Sequence, residues 1–186
     1  VLEKIEKQSF RAAKIINSLL NFSRSSGTEF ERVDVNKALV DVLSLVEHQL
    51  EGSRIRVRRE LTAGVPPVRG NENRVQQVFF NLILNARDAM PSGGWLTLRT
   101  YADDDTVVVE IADTGHGIKR EHLRRIYDPF FTTKGIGKGT GLGLSVSYGI
   151  VQEHGGAIFV ESAPGQGTTF QVALPALVLA EVARQG

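Results

Sequence analysis

The chain has 186 residues, of which 41% are hydrophobic and 23% are charged, and its formal net charge is +1. This length and composition suit one globular domain, alone or with an appendage. The near-neutral charge gives no reason to expect a nucleic acid as partner. The sequence contains no cysteine, which excludes disulfides and thiolate metal sites.

The sequence carries no apolar run near the ~20 residues that a membrane-spanning helix requires, and its start has no signal-peptide pattern. The absence of cysteine fits a reducing compartment. We therefore expect a cytoplasmic location, either for a whole protein or for the cytoplasmic portion of a membrane-bound one.

The first segment, residues 1–26, predicts a helix that needs partner helices. Its apolar and small residues recur at spacings of three and four, and one helix alone cannot shield such a stripe from water. The positions in this stripe are Leu2, Ile5, Ser9, Ala12, Ile16, Leu19 and Ser23. Residues 27–32 have the composition of a linker.

Helices and strands follow in mixed order over residues 33–175. We expect a helix capped by Asp34 and ending near 51, one capped by Asn71 over 72–90, a short one near 120–127, and one ending near His154. Alternating patterns predict strands at 54–61, 95–101, 106–113, 157–162 and 168–175. This order predicts an α+β fold, a two-layer sandwich in which helices cover one face of a mixed sheet.

Two stretches place polar side chains where they can bind a ligand. NLILNARDAM (81–90) sets Asn81 and Asn85 one helical turn apart on one face. A side-chain carbonyl there can hold Mg²⁺, although a pair that only solvates the helix is the alternative. In DTGHGI (113–118) the aspartate can accept a hydrogen bond from an exocyclic amine, although a plain turn would also explain it.

Two further stretches form loops. DPFFTTK (128–134) combines two aromatic residues with hydroxyls and a lysine, and its plainest interpretation is a hydrophobic plug that anchors a loop. GKGTGLGLS (137–145) has four glycines in nine positions at the start of a helix. Bare backbone N–H groups at a helix N-terminus bind anions such as phosphate.

In this order and at this spacing, the four stretches resemble the N box, first glycine box, F box and second glycine box of sensor histidine kinases. Their ATP-binding domain is of the Bergerat type shared with type II topoisomerases, MutL proteins and heat-shock 90-type chaperones. The resemblance continues through GQGTTFQVALP (165–175) and so covers roughly 33–175. RAAKIINSLLNFSR (11–24) resembles the second helix of the family's dimerisation and histidine-phosphotransfer hairpin.

The resemblance implies ATP and Mg²⁺ as ligands and assigns roles to five polar residues. Asn85 would coordinate Mg²⁺, and Asn81 and Asp88 would line the same pocket. Asp113 would bind the adenine amino group, with Thr168 assisting through water. The catalytic residues implied are Asn81 and Asn85.

The resemblance also implies that a mobile loop, about 132–143, covers the phosphates. Lys134 or Lys138 would contact the phosphates as this loop closes, and the residues leave the choice between them open. The other ATP-binding positions implied are Gly115, Gly117, Ile118, Gly139, Thr140, Gly141, Leu142, Gly143 and Leu144.

The residue at position 81 bears on the reaction. ATP-hydrolysing relatives typically carry a glutamate base there, whereas Asn81 cannot take a proton at neutral pH. A histidine acceptor needs no such base, because neutral imidazole is already a nucleophile. We therefore expect an ATP-dependent protein-histidine kinase. The alternatives are a nucleotide-binding interaction module without turnover and an ATPase of the topoisomerase kind.

No stretch resembles the HExxNP motif that carries the phosphorylated histidine. We expect surface roles for the four histidines, which are His48, His116, His122 and His154. The chain is thus expected to be part of a longer kinase that binds ATP·Mg²⁺ without labelling itself. The implied partners are the hairpin helix with the acceptor histidine, a response regulator receiver domain and, once the hairpin is complete, a second copy. Residues 176–186 would be a linker or a frayed tail.

Overall fold

The computed structural model describes residues 30–135 and 139–177. The predicted bundle helix over 1–26 lies outside the described residues, as do most of the linker and residues 178–186. Within the described residues no helix is both long enough and apolar enough to span a membrane.

Seven strands and four helices make up the described part of the chain. The strands are β1 (Glu31–Val33), β2 (Ile55–Leu61), β3 (Val68–Gly70), β4 (Gly94–Asp103), β5 (Thr106–Asp113), β6 (Ala157–Ser162) and β7 (Thr168–Pro175). The helices are α1 (Val35–Gly52), α2 (Glu72–Ala89), α3 (Arg120–Leu123) and α4 (Gly143–Glu153).

Five of the strands form one mixed sheet in the order β2-β4-β5-β7-β6. β2 runs parallel to β4, and the other neighbours are antiparallel. α2 packs between α1 and α4, and the core lies between these helices and the sheet. The predicted α+β sandwich with a mixed sheet is confirmed.

The helix starts follow the predicted caps. The Asp34 carboxylate accepts hydrogen bonds from the backbone N–H groups of Asn36 and Lys37. The Asn71 side chain accepts one from the backbone N–H of Arg74, at the start of α2. Each cap satisfies N–H groups that have no partner within the helix.

The sheet face that points away from the helices carries a row of polar side chains linked by hydrogen bonds. Arg99 on β4 donates to Glu60 on β2 at 2.8 Å and to Glu110 on β5 at 2.5 Å. Gln171 on β7 donates to the other oxygen of Glu110 at 3.2 Å. These residues are direct neighbours in the strand register, so the row crosses four strands.

Three features differ from the sequence-based expectations. β1 and β3 form a second, two-stranded sheet, so the last two residues of the predicted linker belong to a strand. This pair is short, and the two valines that face each other in it, Val33 and Val68, are both buried. α3 ends at Leu123, and the predicted continuation to 127 is turn instead. At the tail, Ala176 pairs with Val68 as an isolated bridge.

The surface position expected for His154 is wrong, because this side chain is only 7% exposed. Its Nδ1 lies 2.7 Å from the Ile150 carbonyl, and its Nε2 lies 3.0 Å from the backbone nitrogen of Asn71. A carbonyl only accepts and an amide N–H only donates, so Nδ1 donates and Nε2 accepts. The neutral ring therefore ties the end of α4 to the start of α2. His48 and His116 are exposed, as expected.

Candidate functional site

Asn81 links α2, the helix that carries the N box, to the second glycine stretch. Its Nδ2 donates to the Gly143 carbonyl at 3.1 Å and to the Ser147 hydroxyl at 3.2 Å. Ser147 is fully buried within α4. These contacts hold the N-terminus of α4 against α2, and they leave the Asn81 carbonyl oxygen for other partners.

One turn further along α2, the side chains of Asn85 and Asp88 form a cation-binding cluster, and the cation that it holds is Lys134. The Lys134 ammonium lies 2.7 Å from the Asp88 carboxylate and 3.3 Å from the Asn85 side-chain oxygen. Arg87 also donates to Asp88, through two nitrogens at 2.7 and 3.1 Å. Burial alone would raise the pKa of Asp88, but the hydrogen bonds and charges of Lys134 and Arg87 outweigh it, so the pKa is lowered.

Asp113 lies at the end of β5 and is 8% exposed. Its carboxylate accepts the backbone N–H of Gly115 at 2.7 Å, and Thr168 is its direct partner in the β5–β7 register. Burial raises the pKa of Asp113, while the backbone N–H groups of Gly115 and Thr168 and the nearby His116 ring oppose the rise. The result is a buried acceptor group that its backbone partner Gly115 helps to hold in place.

The loop that follows Asp113 is hydrogen-bonded to the end of α2. The backbone N–H of His116 donates to the Ala89 carbonyl at 3.0 Å, at the last residue of α2. A side chain at Gly115 would collide with that same carbonyl. Asp113 and the cluster at the C-terminal end of α2 therefore belong to adjoining parts of one site.

Two glycines are required for close backbone approaches at this site. Gly117 has φ +69°, and a Cβ there would collide with the Ala163 carbonyl. Gly141 has φ +67°, and a Cβ there would collide with the backbone of Phe130. Left-handed φ values favour glycine even without such neighbours. The glycine spacing noticed in the sequence thus has a structural cause.

A hydroxyl network that sequence analysis missed lies beside Asp113. Ser162 at the end of β6 contacts the Thr168 hydroxyl, the Ile118 backbone N–H and the Gly167 carbonyl at 2.8 to 2.9 Å. Ser162 pairs directly with Thr168 across the β6–β7 hairpin. The two predicted strands 157–162 and 168–175 were the signal that could have found Ser162, because pairing them as a hairpin sets Ser162 opposite Thr168.

The second glycine stretch leads into α4, whose first residue is Gly143. No side chain of the described residues caps this helix, so its first-turn N–H groups are left for an anion. Thr140 accepts the backbone N–H of Leu142 at 3.3 Å, just before the helix. Leu142 and Leu144 are half-buried and Gly139 is exposed. Lys138 lies outside the described residues.

The F box contributes a plug and an exposed ring. Phe131 is half-buried against the core, with the Arg125 guanidinium 4.6 Å from its ring centre. Phe130 is 71% exposed, and its backbone N–H donates to the Gly141 carbonyl at 2.9 Å. The expected plug is therefore Phe131 alone, while Phe130 anchors the loop through its backbone.

Comparison with known proteins decides the family. Residues 70–178, more than half of the chain, match the family described as histidine kinase-, DNA gyrase B- and HSP90-like ATPase. The chain belongs to this family. It contains an ATP-binding catalytic domain of the sensor histidine kinase type.

The relatives of this catalytic domain are sensor kinases. Sensor kinase CckA of Brucella abortus is 42% identical over 94% of this chain and 20% of its own length. Sporulation kinase E of Bacillus subtilis is 36% identical over 94% of this chain and 23% of its own length. The catalytic domain of histidine kinase ThkA aligns at 32% identity with a TM-score of 0.72, covering 80% of this chain and 98% of that one. The chain thus spans only about a fifth of the length of each of these two curated relatives.

Proposed function

We propose that this catalytic domain binds ATP with Mg²⁺ and transfers the γ-phosphate to a histidine on a hairpin helix. The observation that carries the proposal is the junction between Asp113 and the end of α2. A buried carboxylate suited to an amino group is bonded, through its loop, to the helix that carries a cation-binding cluster.

The donor set at the end of α2 fits Mg²⁺. The Asn85 and Asp88 oxygens already hold one cation, the Lys134 ammonium. The described residues contain no group of three or more acidic, histidine or cysteine side chains that could bind a metal alone. Mg²⁺ commonly takes one or two protein oxygens and completes its shell with substrate phosphates and water. Asn85 would therefore hold the ion, which when bound neutralises charge on the transferring phosphate.

The protein's own residues would act mainly by positioning. Asp113 and Thr168 bind the base, Lys134 contacts the phosphates, and the N-terminus of α4 faces them with free N–H groups. Asn81 donates its amide hydrogens to α4, so it orients the phosphate-binding helix without accepting a proton. A neutral imidazole acceptor requires no base, which fits a phosphotransferase better than a hydrolase.

The partners belong to the same proposal. The acceptor histidine would lie on a hairpin helix, and the hairpin would also provide the dimer contact. A solved structure of histidine kinase ThkA in complex with the response regulator TrrA supports a receiver domain as the next partner, at 27% identity and a TM-score of 0.76. The protein would work at a cytoplasmic site, in two-component signalling.

The test mixes this chain with a complete hairpin that carries the histidine, in the presence of γ-labelled ATP and Mg²⁺. We expect acid-labile phosphohistidine on the hairpin and no label on the chain alone. Asn85→Ala should abolish transfer, whereas Asn73→Ala, an exposed change on the same helix, should leave it intact.

Two other outcomes would replace the proposal. ATP binding without any transfer to the hairpin would favour a nucleotide-gated interaction module. Steady phosphate release that is lost in Asn85→Ala would favour an ATPase of the topoisomerase kind. Stable phosphohistidine on this chain alone would contradict the expectation that its acceptor lies elsewhere.

A further inference from the structure

The Ser162 hydroxyl sits at the centre of three hydrogen bonds beside the base pocket. The Ile118 backbone N–H lies 2.8 Å from it, the Gly167 carbonyl 2.8 Å, and the Thr168 hydroxyl 2.9 Å. Ile118 belongs to the first glycine stretch, whereas Gly167 and Thr168 belong to the β6–β7 turn and strand β7. Ser162 thus joins the two segments that surround Asp113.

The chemistry of these partners determines where each hydrogen points. The Gly167 carbonyl can only accept, so the single hydrogen of Ser162 is directed at it. The Ile118 N–H can only donate, so Ser162 accepts there. All three contacts are hydrogen bonds only if Thr168 donates its own hydrogen to Ser162. The opposite assignment would leave two acceptor oxygens, of Ser162 and Gly167, in contact at 2.8 Å without a hydrogen.

The Thr168 hydroxyl therefore has no hydrogen left for a ligand and can only accept a hydrogen bond from one. Thr168 lies directly opposite Asp113 in the β5–β7 register, so the two side chains share one face of the sheet. Both side chains are buried, at 5% and 8% exposure. The pocket thus presents two acceptors side by side and no side-chain donor from this pair.

We infer that Ser162 is a positioning residue that sets the hydrogen-bond polarity of the base pocket and so favours a purine with a 6-amino group over a 6-oxo purine. The inference rests on the proposed nucleotide function. An amino group, or a water that donates toward Thr168, matches two acceptors. A 6-oxo group would face the same acceptors without a hydrogen between them.

The test measures ADP and GDP affinities by calorimetry, so it needs no turnover. In Ser162→Ala the Thr168 hydrogen loses its acceptor and can turn toward the ligand. We expect the ratio of ADP to GDP affinity to fall roughly three- to tenfold, as one neutral hydrogen bond would allow. Ser44→Ala, which removes an exposed hydroxyl bonded to the Val40 carbonyl, should leave the ratio unchanged.

A second pair of variants separates positioning from support of the loops. Thr168→Val removes the hydroxyl that Ser162 orients, so adding Ser162→Ala should then have little further effect on the ratio. An equal effect in both backgrounds would show that Ser162 only supports the loops, and would overturn the inference. If Ser162→Ala does not fold, Ser162→Cys, whose thiol is a weak partner, should lower the ratio in its place.

The outcomes also separate this inference from the proposed function. A wild-type chain that binds ADP normally, with a ratio unchanged in Ser162→Ala and Ser162→Cys, would overturn the inference alone. A wild-type chain that binds no adenine nucleotide would overturn both.

Discussion

Asp113→Asn tests the base pocket most directly, because the change removes a charge but almost no volume. In the wild type one carboxylate oxygen accepts the backbone N–H of Gly115 at 2.7 Å. An adenine amino group would be a second donor, on the other oxygen. The amide of asparagine offers one acceptor oxygen and one donor NH₂, so one of these two donors would then face another donor.

The structure indicates which donor loses its partner. The Gly115 N–H is fixed by the chain, so asparagine is expected to keep its oxygen on that group and to turn its NH₂ toward the ligand. A hydrogen bond to a charged group contributes about 1.5–3 kcal/mol, which corresponds to roughly 10- to 150-fold in ADP affinity. Burial already disfavours the ionised form of Asp113, as its raised pKa shows, so the substitution should cost little stability at neutral pH.

Calorimetry with ADP at several pH values checks these expectations, with thermal unfolding as the folding control. Since the pKa of Asp113 is raised, wild-type affinity should fall with acidification at a higher pH than an ordinary aspartate would give, and the variant should lack this transition. Asp41→Asn changes an aspartate with a half-exposed side chain on α1 and should bind ADP normally. An Asp113→Asn affinity within twofold of the wild type would refute the assigned role.

Three further predictions give separable results. Lys134→Met should weaken ATP·Mg²⁺ binding and raise the pKa of Asp88, because the substitution removes a 2.7 Å ion pair. An unchanged pKa of Asp88 in an NMR titration of the carboxyl groups would contradict this prediction. Tyr127→Phe should raise the free energy of unfolding in urea by about 1 kcal/mol, since the buried Tyr127 hydroxyl has no partner among the described residues. Burial of this hydroxyl also raises the pKa of Tyr127 to about 12. A clear loss of stability in the variant would show that the hydroxyl has a partner after all. Gly117→Ala should lower the free energy of unfolding by about 2 kcal/mol or more. Gly165→Ala, at φ +76° but with open space around the new Cβ, should lower it by about 1 kcal/mol. Equal losses in the two variants would show that the collision at position 117 adds nothing.

Local patterns in the sequence were enough to predict most of the elements. The caps at Asp34 and Asn71 and the alternating strands predicted α1, α2 and the five-stranded sheet to within a few residues. These features depend on near neighbours in the chain, such as a side chain that accepts the N–H two or three residues later. The four boxes likewise identified the family, because they are contiguous stretches with fixed order.

What the sequence could not determine was which distant groups share a hydrogen bond. His154 appeared to be a surface residue because its burial depends on the start of α2, 83 positions earlier. The position of Lys134 beside Asn85 and Asp88, and the place of Ser162 beside Thr168, also depend on contacts across the fold.

The sequence by itself thus determined most of the elements and the family, and it was enough to propose the residues of the site. The tertiary structure decided the pairing of β1 with β3, the neutral ring of His154 and the partners of the hydroxyl groups near Asp113. The physical reason is that a polar group takes its role from the partner it meets, and a buried group meets its partner only after folding.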